Sequence, residues 1–277
     1  MIKGLLNNFT ATQKKALIIA MMLAWLAKSI PIISFVSYYY TIAFHELGHA
    51  ITAWLFGYFA IPTFDVINGG GVTYKVSRPF ILCVIAFVFI ILNLLLFKQN
   101  PKKNRTKKLL FLFVVYVAVF FSQIHSLLIS FMGAGGEVLA SFLIGWYALN
   151  IARYKINIKV VFYLFLSMLL WVNVTSFSLS LIFDQQSQID YIKGKQQVMG
   201  GGALTNDLVK LLEATGFSIN FYSWVLLLFS VVTLYFLIRV AQTPHISKVK
   251  LFNYLRTLVA IFRYYARVMW LKLTRKS

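Results

Sequence analysis

His45 and His49 stand four residues apart, with Glu46 directly after the first, inside the run Phe44-His45-Glu46-Leu47-Gly48-His49-Ala50. On a helix, residues at this spacing share a face, so both imidazoles address one point. Two nitrogen donors so placed suit a Zn2+ ion, and a glutamate beside the first can take a proton from an attacking water. The flanks, Tyr38 to Ala43 and Ile51 to Phe56, are strongly apolar and aromatic. Ionisable groups are costly in hydrocarbon and rare there without a purpose. The plainer alternative is two buried histidines hydrogen-bonded to neighbouring helices, with Glu46 neutral or paired.

The elements that must position these residues are membrane helices. The chain has 277 residues, of which 60% are hydrophobic and 12% charged, against about 25% charged in soluble domains. Several apolar runs reach the roughly 20 residues that cross a bilayer. The fold class expected is an all-α polytopic membrane protein of about six to seven transmembrane helices, with spans near 14–29, 31–58, 79–97, 109–132, 137–150, 159–183 and 221–241. Pro31 suits the first turn of the motif helix. A short β-hairpin is expected over 61–78, around Asn68-Gly69-Gly70-Gly71. The glycine run Gly133 to Gly136 should break the helical pattern, with Glu137 starting a new stretch. Two domains follow: 1–242 within the membrane, and 243–277, a basic and aromatic tail with the pattern of an amphipathic helix on the lipid surface.

The formal charge of +20 points to topology and anionic lipid rather than to nucleic acid, because the basic residues cluster between the apolar runs and at the C-terminus. With 98–108, 151–159 and the tail cytoplasmic, the segments 61–78, 133–137 and 184–220 share the opposite side; Lys3, Lys14 and Lys15 conflict with the N-terminal orientation this implies. Lys14-Lys15 followed by Ala16 to Ala27 has the shape of a signal sequence, but Lys28 and Pro31 stand where small cleavage-site residues belong, so a retained helix is expected. Cys83 is the sole cysteine, which excludes an intramolecular disulfide and argues against a thiolate metal site.

The run from Phe44 through Ala50, continuing by Ala53 to Phe56-Gly57, resembles the active-site helix of the site-2-type intramembrane zinc metalloproteases, in particular their compact bacterial members without a PDZ insertion. Gly69-Gly70-Gly71-Val72-Thr73 matches the Gly-rich hairpin that follows the motif helix in those proteins. The likeness covers about residues 35–75. It implies that His45 and His49 ligate zinc, that Glu46 is the general base, and that the site is buried in the membrane, a bacterial plasma membrane by this likeness. It also implies a membrane-bound protein or peptide substrate. The Leu-Asp-Gly triplet in which the family carries its third ligand is absent.

A third donor must therefore come from Asp65, Glu137, Asp184, Asp190, Asp207 or Glu213. Asp207 is preferred as the metal ligand, in a setting that resembles an acidic turn opening a helix in the family; its alternative role is a helix cap. Glu137 is the rival ligand, its alternative a carboxylate favoured by a helix dipole. The histidines lie roughly 14–20 Å along the helix from the hairpin face, so either a ligand must reach down to them or the helix must end before residue 58. His125 reads as a core histidine rather than a partner to the site, and Asn93, Gln123 and Asn173 as interhelical hydrogen-bonding groups. The function expected is a zinc-dependent intramembrane endopeptidase, a hydrolase whose partners are the bilayer and a membrane protein or peptide. The alternative is a non-proteolytic membrane scaffold or chaperone-like protein that retains a metal site. The oligomeric state is left open.

Overall fold

The structure, a computed structural model, describes residues 10–65, 70–76, 83–84, 87–88, 103–152, 157–193, 196–197, 203–204 and 206–242. Almost all of the expected span 79–97, Asn93, the tail 243–277 and the side chain of Asp65 lie outside them. The described chain is a helical bundle. Its helices are α1 (Ala11–Ser29), α2 (Pro31–Leu55), α3 (Lys103–Phe121), α4 (Ile124–Ala152), α5 (Ile158–Phe183), α6 (Gln185–Lys193), α7 (Asp207–Thr215) and α8 (Ile219–Gln242). Strands β1 (Ala60–Asp65) and β2 (Gly70–Lys75) form the antiparallel hairpin, with Ala60 opposite Lys75 and Asp65 opposite Gly70. Two residues each in β3 (Gln196–Gln197) and β4 (Ala203–Leu204) make a second short ladder.

Among the described residues, α4, α5 and α8 are each long and apolar enough to cross a membrane, and α1 with α2 qualifies as a fourth if the bent pair counts as one span. These helices mark an integral membrane protein. The bend between α1 and α2 is 108°, and its cause is local. Pro31 has no N–H to continue the helix and forces the preceding residue out of helical geometry; Ile30 accordingly sits at φ −98°, ψ 115°.

Alanine decides how α1 packs. Ala16, Ala20, Ala24 and Ala27 recur at helical spacing and are buried against Ala148, Leu149 and Ala152 of α4 and Val160, Leu164 and Met168 of α5. Gln13 anchors the start. It exchanges hydrogen bonds with Thr10 in a capping box, and its Nε2 donates to the Leu149 carbonyl at 2.9 Å while fully buried. Between α4 and α5, Ser141 and Ser167 each donate to the other's carbonyl, at 2.8 and 2.7 Å.

The expected break at Gly133 to Gly136 does not occur. α4 runs unbroken through all four residues, and the interruption falls earlier, at Ser122-Gln123. In an isolated helix each glycine costs about 1 kcal/mol. In a membrane bundle the missing side chains allow backbones to approach closely, and that use prevails here. A Cβ on Gly136 would lie 2.6 Å from the Gly48 Cα, and one on Gly48 would lie 2.0 Å from the Met132 carbonyl oxygen. The motif helix α2 thus lies against α4 with almost nothing between them.

Gly48→Ala should consequently destabilise the protein by about 1–3 kcal/mol, the usual cost of overpacking, because its new methyl group meets backbone. Gly135→Ala, whose Cβ would meet only the Met132 and Phe131 side chains at 3.1 Å or more, should cost distinctly less. Thermal unfolding midpoints in detergent micelles compare the two.

Candidate metal centre

The α2–α4 contact presents the two histidines to α4. His45 and His49 are four residues apart on α2, and their rings lie 4.9 Å apart, edge to face. Both Nε2 atoms point over Gly133: a Cβ there would fall 2.4 Å from one and 2.5 Å from the other. Glycine at this position is what leaves room for the rings.

Both Nε2 atoms meet a single oxygen. Asp207 Oδ2 lies 3.0 Å from His45 Nε2 and 2.8 Å from His49 Nε2. The three side chains form a group that can hold a metal ion. Asp207 opens α7 but does not cap it; Asn206 occupies the cap position and makes no side-chain capping bond. Instead, Asn206 Nδ2 donates to the Tyr191 carbonyl at 2.6 Å, and the Leu208 N–H donates to the Tyr191 hydroxyl. These bonds tie α7 to α6. Leu208, Val209 and Leu211 bury beside Ala134 of α4 and Leu226 of α8, so the segment after α5 folds back against the middle of α4. That return supplies the reach that the depth of the histidines demands.

The outer oxygen of Asp207 takes a hydrogen bond from Lys210 Nζ at 3.1 Å. Burial opposes charge on this carboxyl, but the His49 and His45 imidazoles hold it well below the usual carboxylate range. Burial, with the nearby Asp207 charge, pushes the Tyr191 phenol up.

The far nitrogens of both rings are also engaged. His45 Nδ1 lies 2.9 Å from Glu137 Oε1, and His49 Nδ1 lies 2.6 Å from the Ile129 carbonyl. A carbonyl can only accept, as can an ionised carboxylate. Both Nδ1 atoms therefore donate, and the Nε2 atoms, which face Asp207 Oδ2, are the nitrogens at which a bound cation would take the place of a proton. This is the usual support for metal-ligating histidines. Of the two acids weighed from the sequence, Asp207 meets the converging nitrogens. Glu137 sits on the opposite side of the His45 ring, buried and in the middle of α4 rather than at a helix start, where it orients the ring. Asn173 Nδ2 donates to its second oxygen at 2.9 Å.

Glu46 is 5% exposed. Its Oε2 accepts from the Thr73 hydroxyl at 2.7 Å, and the same hydroxyl lies 3.0 Å from the Glu46 carbonyl. Strand β2 therefore rests on the motif helix at this residue. Gly71 makes the contact possible, since a Cβ there would lie 2.6 Å from Glu46 Cγ and from Ile42 Cγ2. His45, Glu46, His49, Gly71, Thr73 and Asp207 line one cavity of about 670 Å³.

The remaining expected residues lie elsewhere. His125 is a core histidine: its Nε2 meets the Tyr58 hydroxyl at 2.7 Å, its Nδ1 meets the Ser122 carbonyl, and it packs against Phe56. Gln123 sits in the break between α3 and α4. Asp184 and Asp190 belong to the exposed surface around α6, where hydrogen bonding from the Ser187 hydroxyl holds the Asp184 carboxyl below its ordinary range. Thr73, as the partner of Glu46, had no local signal beyond its place after a glycine run.

No protein-family model, curated protein or solved structure matches this chain.

Removing Asp207 and perturbing Glu137 should have different consequences. Asp207→Ala deletes a donor and should abolish stoichiometric metal binding. Glu137→Gln leaves the donors in place and should keep the stoichiometry while weakening affinity about 10- to 100-fold. Elemental analysis and chelator competition on purified protein separate these outcomes.

Proposed function

We propose that the chain is a zinc-dependent intramembrane endopeptidase of the site-2 type, crossing a bacterial plasma membrane with six to seven helices and hydrolysing membrane-associated proteins or peptides. One observation carries the proposal: two imidazole Nε2 atoms, on rings each held at Nδ1 by an acceptor, converge on one Asp207 oxygen in a cavity that Glu46 also lines.

Two neutral imidazoles and one carboxylate form a donor set suited to catalytic zinc. Around a tetrahedral zinc with bonds near 2.0–2.1 Å, donors lie roughly 3.3 Å apart. The 2.8 and 3.0 Å separations of Asp207 Oδ2 from the two nitrogens need open by only tenths of an ångström. His45, His49 and Asp207 would hold the ion, which supplies Lewis acidity that polarises a scissile carbonyl and makes water acidic near pH 7.

The chain's own residues do the rest. Glu46 takes the proton of the attacking water and delivers it to the leaving amide nitrogen. The Thr73 hydroxyl holds the Glu46 carboxylate in place. Among the described residues β2 pairs with β1 alone, and Gly71, Val72 and Thr73 line the cavity. An extended substrate can add to the remaining edge of β2 by strand pairing. Such pairing favours the unwound peptide that hydrolysis requires, since a helix shields its own peptide bonds.

Glu46→Gln should keep zinc at wild-type stoichiometry and slow cleavage by about 10²- to 10⁴-fold, the usual worth of a general base. The assay uses a pool of quenched-fluorescent apolar peptides about 20 residues long, reconstituted with the full chain in liposomes. Undiminished cleavage by the variant would rule out Glu46 as the base. A wild-type chain that binds zinc but cleaves none of the pool would instead favour the non-proteolytic scaffold.

A further inference from the structure

A line of hydrogen bonds through four helices ends on His45. Lys28, in the last turn of α1, donates from Nζ to Asn173 Oδ1 of α5 at 2.6 Å. Asn173 Nδ2 donates to Glu137 Oε2 of α4 at 2.9 Å, and Glu137 Oε1 lies 2.9 Å from His45 Nδ1 of α2. Chemistry makes this line directional. An ammonium only donates and an ionised carboxylate only accepts. The amide between them must turn its oxygen to Lys28 and its nitrogen to Glu137. Glu137 then has an acceptor oxygen left for His45 Nδ1–H, which turns Nε2 toward His49 and Asp207.

A bland account of Lys28 is available: a cation in the last turn favours the helix dipole, and a long side chain near a helix end can snorkel to the interface. Neither requires the inward geometry observed. Lys28 is half-buried, and its ammonium is bonded to an amide that touches a fully interior carboxylate. The two acids flanking the imidazoles are treated alike. Asp207 has Lys210 on its outer oxygen, and Glu137 has Lys28 behind it through Asn173.

We propose that Lys28 and Asn173 are positioning residues for the metal centre, holding the His45 ring, through Glu137, in its metal-binding tautomer and orientation. The proposal rests on the reading that His45, His49 and Asp207 bind a metal, and is independent of peptide hydrolysis.

The test is zinc affinity, by chelator competition on the purified full chain in detergent, together with the visible absorption of the cobalt(II)-substituted protein. Lys28→Met and Asn173→Leu should each weaken zinc by about 10-fold, within the range for residues that support a ligating histidine, and should shift the cobalt bands. Lys28→Arg, which can still donate, should stay within about 3-fold of wild type. In a Glu137→Gln background Lys28→Met should change affinity by less than about 2-fold, since the line is already broken. Thermal unfolding midpoints check that each variant folds; should Lys28→Met fail to fold, Asn173→Leu decides. Wild-type affinity and unchanged cobalt bands in the folded variants would overturn the proposal while leaving the metal reading intact, as would a Lys28→Met loss of full size in the Glu137→Gln background. A wild-type chain that takes up neither zinc nor cobalt would overturn both.

Discussion

The approach of α2 to α4 at Gly48 and Gly136 is the constraint on which the site depends. With Cβ positions 2.0–2.6 Å from opposing backbone atoms, neither residue can carry a side chain unless the helices separate. Their contact sets three things at once. It brings Gly133 beneath both imidazoles. It places the Ile129 carbonyl at His49 Nδ1, and it brings Glu137 to His45 Nδ1. A separation of even one ångström would lengthen both supporting hydrogen bonds beyond useful range and free the rings to rotate. In a lipid-facing bundle no hydrophobic gain draws helices together, so close packing of small residues carries the association. The same glycines that cost helical propensity in α4 are what allow a polar site to form there.

What the sequence revealed of this arrangement follows from the range of each interaction. His45, Glu46 and His49 were legible because helical spacing alone places them on neighbouring positions of one element. The hairpin was legible for a similar reason, with its turn residues and β-prone flanks adjacent in the chain. Asp207 stands 158 residues from His49, and no local rule separates it from Glu137; both are acids that follow a glycine run and open an apolar stretch. The two differ only in which edge of an imidazole they meet, and that is decided by tertiary packing. From sequence alone, Gly133 to Gly136 suggest a break because propensity is local and packing is not. The polar region after α5 conceals a return path, since the apolar face of α7 is only three residues: Leu208, Val209 and Leu211. In the sequence Lys28 reads only as a residue unsuited to a cleavage site and Asn173 as an interhelical hydrogen-bonding group, and neither pattern names the other.

Electrostatics explains why these acids come with company. Moving a carboxylate out of water costs several kcal/mol unless hydrogen bonds and opposite charge compensate it. Glu137 meets His45 and Asn173; Asp207 meets two imidazoles and Lys210; Glu46 meets Thr73. Glu137 and Asp207 each turn one oxygen to the imidazoles and the other to a supporting side chain. A divalent cation bound by the imidazoles and Asp207 would add the positive charge that a site with this many acids favours. Thr73 differs from the other supports in belonging to a strand rather than a helix, so the placement of Glu46 depends on the hairpin staying seated on α2.

The bend at Ile30-Pro31 then acquires a chemical consequence. Lys28 precedes His45 by 17 residues, and in one straight helix the two would lie roughly 25 Å apart along the axis. Three hydrogen bonds through two short side chains cannot bridge that distance. The 108° turn folds the end of α1 back onto α5, where Asn173 is within reach of the lysine. The position of Lys28 along α1 is in turn fixed from the other end, by Gln13 on the Leu149 carbonyl and by the alanine face packed on α4 and α5. A proline that serves only to start a helix could stand anywhere along a connector. Here it sits three residues after the lysine whose reach toward the centre depends on it, so α1 is tied to the geometry of His45 although none of the three residues that could hold a metal lies on it.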